Sequence, residues 1–200
     1  EGFNIPYDAE KIHGISTELA QENGIPLAEV LEKFNVALTK TKFVVGQNVG
    51  FDINIMGAEF YRADLKTLLG ELPVLDTCTE HTALLCELPG GRGGKFKLPT
   101  LTELHQYLFK TPFSEAHNAT ADVEATTRCF LELVRRKQYT KEQLDVQPDY
   151  FEKFTEVNPQ EIQLIGLKHI NLKKASEKIA RHLKNLDVID VSEEDLSQNI

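Results

Sequence analysis

Apolar positions along the chain follow two rhythms. Leu27, Val30, Leu31, Phe34 and Leu38 recur every three or four residues. That is one face of a helix, and Pro26 suits its first position. "KFVVG" at 42–46 and "LPVLDT" at 72–77 are short apolar runs that read as buried strands. A helix follows each of them, one beginning near Gly50 and one around "CTEHTALLCEL". Thr100 through Lys110 predicts a further helix, entered through a capping box of Thr100 and Glu103. The last helix of this series spans about 119–137, with Val123, Thr126, Phe130, Leu133 and Val134 as the face expected to meet the core. Short strands alternating with helices predict an α/β domain with parallel strands.

The flanks are less regular. Residues 1–25 read as loop, punctuated by Pro6, Gly14 and Gly24. "PGGRGGKFKLP" at 89–99 carries four glycines and reads as a flexible, basic, solvated linker, with contact to a phosphate backbone as the alternative. After Lys137 the character changes to a connector with some helix. Asn158, Pro159 and Glu161 read as N-cap, first and third positions of a new helix, or a broken pair, running to about Leu186. An acidic tail follows. This divides the chain into residues 1–137, the main domain, and 138–200, a helical C-terminal extension. The opening "EGFNIPYDAEKIHGIS" has no initiator Met, so an upstream segment is expected.

Composition narrows the function classes. Net charge is −9 across 200 residues, which argues against holding nucleic acid by long-range charge alone. It does not exclude an acidic pocket that recruits divalent cations, because the metals reverse the local field. No apolar run approaches the ~18 residues of a membrane span. Cys78, Cys86 and Cys129 have no metal-ligand spacing and read as structural thiols in a reducing compartment, taken as the cytoplasm.

Three islands carry chemistry: "KIHGIS" at 11–16, "GQNVGFDINIMGAEF" at 46–60 and "HNATADVEA" at 117–125. Asp52 falls in the first turn of a helix that follows a strand and a glycine-containing turn. Asp122 again lies near a helix start, with His117 five residues earlier. Carboxylates at helix starts gain from the helix dipole and exposed N–H groups. Two such Asp from different segments could share Mg²⁺ or Mn²⁺, which prefer oxygen ligands. A loop His beside them can take a proton from water. Simpler readings stand beside these. Asp52 alone can be a cap, and His117 alone can be structural. Glu124 sits two positions from Asp122, about 200° around a helix, and reads as a solvent-side charge. Among the other histidines, only His13 lies in a glycine-containing loop that could face a ligand.

Together the islands resemble the DEDDh family of 3′→5′ exonucleases, the group that contains the proofreading epsilon subunit of bacterial DNA polymerase III. "GQNVGFDINIM" resembles its N-x-x-F-D motif, and "HNATADVEAT" resembles its H-x-A-x-x-D motif. "KLPTLTELHQYLF" is similar to the segment that precedes the latter. The resemblance covers roughly residues 1–137. It implies a ribonuclease H-like exonuclease fold with its first strands missing, plus the helical extension. It implies His117 as general base and Asp52 and Asp122 as metal ligands in a two-metal Mg²⁺ or Mn²⁺ site. It further implies a substrate pocket lined by Ile12, His13, Gly14, Ile15, Asn48 and Phe51. The family's first motif, a D-x-E on its first strand, is expected beyond Glu1, since no segment before Ile12 provides it. The implied activity is proofreading-type hydrolysis of 3′-terminal or single-stranded DNA to nucleoside 5′-monophosphates. RNA trimming is an alternative. A non-catalytic module that docks on a DNA polymerase subunit is another. No membrane partner is expected.

Overall fold

The computed structural model describes residues 2–111, 118–146 and 149–163. Two compact units divide the chain near Val30, and each is taken by itself.

The first unit corrects the expectation of loop over residues 1–25. It holds two helices, Tyr7–His13 (α1) and Thr17–Asn23 (α2). The proline and glycines cap these helices. The Pro6 carbonyl accepts from the Glu10 N–H at 3.0 Å. Gly14 closes α1 in the left-handed conformation at φ 74° and returns its N–H to the Glu10 carbonyl; a residue without Cβ adopts this at little cost. The Ser16 side chain then accepts from the Leu19 N–H at 3.1 Å and starts α2. Neither helix buries a residue.

Leu27–Leu38 forms α3, one residue later than the start expected at Pro26. Leu31 and Leu38 are buried, while Val30 is exposed. Val44–Gly46 (β1) and Val74–Asp76 (β2) pair in parallel, with Val45 opposite Leu75 and Gly46 opposite Asp76. Gly50–Arg62 (α4) follows β1, and Glu80–Cys86 (α5) follows β2. Leu101–Phe109 (α6) begins with the expected Thr100/Glu103 capping box. Ala119–Arg135 (α7) packs against α6 and β1. A parallel pair with a helix between its strands is the local form of an α/β fold.

One core joins α6 to α7 through Leu104, Leu108, Phe109, Cys129 and Leu133. A second gathers Leu75, Val134 and Leu144. Lys141–Leu144 (α8) and Tyr150–Val157 (α9) supply Leu144, Tyr150, Phe151 and Phe154 to it. The helix start expected at Asn158 is corrected, and the rest of that expected helix, to about Leu186, lies outside the described residues. Asn158 instead ends α9, its side-chain amide donating to the Phe154 carbonyl, and residues 158–163 are not helical.

The buried face of α7 also departs from expectation. Val123 is 57% exposed, whereas Glu124, read as a solvent-side charge, is buried. The buried stripe runs through Ala121, Ala125, Arg128, Cys129 and Glu132. Polar and small residues hold that face because they are paired there. Glu132 accepts from Arg135, Arg136 and the Ile162 N–H. Burial raises its carboxyl, but those hydrogen bonds outweigh burial and hold it below the usual carboxylate range. Arg128 donates to the Ile162 carbonyl at 2.7 Å and stacks over Phe109 at 3.6 Å. Among the described residues no helix is long and apolar enough to cross a membrane.

Candidate functional site

β1 ends at Gly46, and the chain turns sharply there. A Cβ at Gly46 would stand 2.6 Å from the Val49 side chain, so the turn admits only glycine without rearrangement. Asn48 takes the left-handed conformation at φ 55°, which asparagine tolerates better than most residues. Val49 then precedes α4 without a side chain able to cap it. Asp76, at the end of β2, does that work from across the sheet. One carboxylate oxygen accepts the Asn48 N–H at 2.8 Å and the Cys78 N–H at 2.7 Å. The other accepts the Val49 N–H at 3.0 Å. Thr77 adds a second tie. Its N–H donates to the Gly46 carbonyl at 2.8 Å, and its hydroxyl donates to Gln47 Oε1 at 2.6 Å. The Gln47 amide in turn donates to the Pro99 carbonyl at 2.8 Å.

Asp52 therefore stands in the first turn of a helix whose start is held by β2. It is exposed, as is Asn48. Phe51 is 65% exposed. One turn on, Phe51, Asn54, Ile55, Ala58, Glu59 and Arg62 line a shallow groove of about 310 Å³ along α4.

α7 starts differently. The Asn118 side chain accepts from the Thr120 N–H at 3.1 Å and the Ala121 N–H at 3.4 Å. The Asn118 carbonyl accepts from the Asp122 N–H at 2.9 Å. Asp122 is half-buried in the first turn, flanked by buried Ala121. His117 lies outside the described residues. α7 packs along β1, the strand that delivers α4, so one strand supports both helices that carry the acidic residues.

Ile12, His13, Gly14 and Ile15 form the end of α1 and its turn, in the other unit. All four are exposed, and the Ile15 N–H donates to His13 Nδ1 at 3.1 Å. Asp8 and Glu10 have D-x-E spacing, but both stand on α1 rather than on a strand. On a helix such a pair points about 200° apart and does not share an ion.

Asp52 and Asp122 have the oxygen chemistry that Mg²⁺ and Mn²⁺ require. They do not complete a site. Among the described residues no three His, Cys, Asp or Glu side chains converge as a metal would need. The thiols are no substitute. Burial pushes Cys86 up to about 11 and Cys129 up to about 12, so both are protonated at neutral pH. Asp76, Thr77 and Gln47 are the site-building residues that pattern reading missed. Their signal was present: "LDT" ends a strand whose parallel partner ends in "GQN".

Comparison with curated proteins finds none that matches. The exonuclease family model (RNase_T) matches residues 2–130, a stretch that contains both strands and the helix starts bearing Asp52 and Asp122. Members of this family hydrolyse nucleic acids and generally use divalent metals. The chain belongs to the exonuclease family of the DEDDh type.

Proposed function

We propose that this chain acts as a metal-dependent 3′→5′ exonuclease on single-stranded or 3′-terminal DNA in a proofreading role. The observation that supports it most is the pair of carboxylates, Asp52 and Asp122, in the first turns of two helices built on one strand within the family-matched stretch. Asp52 and Asp122 act as metal ligands in this reading, with further ligands from outside the described residues. Divalent metal supplies Lewis-acid stabilisation of the phosphate's developing charge. His117 removes a proton from the attacking water. The water oxygen bonds to phosphorus, the bond from phosphorus to the 3′-oxygen of the preceding nucleotide breaks, and that oxygen takes up a proton. A nucleoside 5′-monophosphate leaves. Asn48 and Phe51 hold the terminal nucleotide, with Phe51 against its base. Ile12, His13, Gly14 and Ile15 are the further residues that the family resemblance assigns to substrate binding.

The test is degradation of 5′-labelled single-stranded DNA by the intact natural protein, in Mg²⁺ and then Mn²⁺. A ladder shortened from the 3′ end that vanishes in Asp122→Asn, with folding unchanged, is the expected result. Undiminished cleavage by Asp122→Asn removes that residue from the site. Faster cleavage of a matched RNA oligomer moves the assignment to RNA trimming. Tight binding to a polymerase subunit without cleavage moves it to a docking module.

A further inference from the structure

The segment at 89–99 is a built structure. Gly91 lies so close to the returning chain that a Cβ there would meet the Lys95 carbonyl oxygen at 2.3 Å and that of Phe96 at 2.4 Å. The Lys97 N–H donates to the Leu88 carbonyl at 2.9 Å and closes the base of the loop. Lys95 reaches the Glu80 carboxylate at 2.8 Å, and Lys97 reaches Glu103 at 2.6 Å, so the loop is tied to α5 and α6. Between loop and α5 runs a groove of about 780 Å³. Its walls expose three large apolar side chains, Leu84, Phe96 and Leu98.

Charge identifies the occupant. Arg92, Lys95 and Lys97 line the groove; Glu80 pairs with Lys95 and Glu103 with Lys97, so Arg92 carries the uncompensated charge. This local excess of positive charge sits in a chain of net charge −9. Arg92 is exposed, and among the described residues its guanidinium has no ion-pair partner. The Lys95–Glu80 pair is exposed at both ends; such pairs are weak and yield readily to a stronger anion. A platform of apolar and aromatic side chains bordered by cations is the arrangement that binds single strands, with bases on the platform and phosphates on the cations. An apolar peptide would need neither Arg92 nor Lys95.

We propose that the groove between the 90–98 loop and α5 binds single-stranded nucleic acid, holding part of the substrate strand away from its reacting terminus. Bases lie on Phe96, Leu84 and Leu98, and phosphates meet Arg92 and Lys95. This rests on the exonuclease reading for its ligand but not for its geometry.

The test measures binding without cleavage. Fluorescence anisotropy of labelled dT15 is recorded with the intact protein in EDTA, for the natural sequence, Phe96→Ala and Arg92→Glu. Both side chains are exposed, and circular dichroism checks the fold of each variant. Phe96→Ala is expected to raise Kd on the order of tenfold, the scale of one lost stacking contact. Arg92→Glu is expected to raise Kd and to reduce the slope of log Kd against log salt by at least about one. Affinity for dTMP is expected to stay unchanged in both. Unchanged dT15 binding in both variants overturns the groove, and so does absence of dT15 binding by the natural protein. The two readings fail separately. Loss of dT15 binding in a protein that shows no metal-dependent cleavage keeps the groove and rejects the nuclease. Unchanged binding in a protein that cleaves does the reverse.

Discussion

The two helices that carry the motif carboxylates, α4 with Asp52 and α7 with Asp122, secure their starts by different means. α7 is capped from within: Asn118 accepts the N–H groups of Thr120 and Ala121. α4 is capped from outside: Asp76 on β2 accepts the N–H groups of Asn48 and Val49. The first device is local and needs no neighbour. The second exists only once β1 and β2 have paired. Asp52 therefore depends on the sheet for its position, whereas the backbone at Asp122 depends on its own helix. An unfolded chain can sample the α7 start transiently, but it cannot sample the α4 start.

The largest expected effect concerns the side of α7. His117→Ala is expected to slow cleavage by roughly 10²–10⁴, the usual size of a general-base contribution, in single-turnover assays on 5′-labelled DNA. A normal rate sends the role of base elsewhere and leaves the α7 start with a carboxylate alone.

Next comes the α4 side. Asp76→Ala leaves three backbone N–H groups without their acceptor. It is expected to cost about 1–3 kcal/mol in urea unfolding, because unsatisfied donors retain their desolvation penalty. Cleavage is expected to fall as well, through displacement of Asp52. Asp76→Asn keeps one acceptor oxygen and is expected to recover part of both losses. Unchanged stability in Asp76→Ala would mean that α4 secures its own start, and the contrast with α7 would disappear.

The local cap carries a smaller expectation. Asn118→Ala is expected to cost about 0.5–2 kcal/mol, the range for loss of an N-cap. Asn118→Asp should retain most of that stability, since a carboxylate accepts the same two N–H groups. A cost in Asn118→Ala well above that of Asp76→Ala would reverse the ranking of the two starts.

The smallest effect lies on α6, where it meets Arg128 of α7. His105 is buried, with Nδ1 at 3.0 Å from the Thr111 carbonyl and Nε2 at 3.0 Å from Arg128. That arrangement assigns the proton to Nδ1 and makes Nε2 the acceptor. Burial first, and then the Arg128 charge, hold its pKa below the usual histidine value. The unfolded chain therefore takes up the proton at higher pH than the folded one. Stability from this group is complete above about pH 6.5, the unperturbed histidine value, and falls as the pH drops below it. Tm recorded from pH 7.5 to 5.5 should decline, and His105→Gln should flatten the decline. An equal slope in the variant would assign it to other groups.

Legibility followed the range of the interaction. The helices at 27–38, 101–109 and 119–135 and the two short strands were readable, because periodicity and capping are properties of neighbours in sequence. The motif residues Asp52 and Asp122 were readable as helix-start carboxylates for the same reason. The short helices at 7–13 and 17–23 were misread, since Pro6 and Gly14 look alike as loop punctuation and as caps. Val123 and Glu124 were assigned to the wrong faces. Hydropathy supposes that carboxylates face water, whereas Glu124 and Glu132 are buried on the face that meets the core. For Glu132 the reason is visible in Arg135, Arg136 and the Ile162 N–H.

By itself the sequence determined the alternation of strands and helices, the caps that depend on a side chain within three residues, and the motif spacing that marks the exonuclease family. Only the tertiary structure decided that Asp76 would hold the turn before Asp52, that 158–163 would strap onto Arg128 and Glu132, and that 90–98 would fold against α5 to make a basic, apolar groove. The physical reason is common to all three. Each is a hydrogen bond, ion pair or packed surface between residues far apart in sequence, whose partners are chosen by the closure of the fold and leave no periodic trace along the chain.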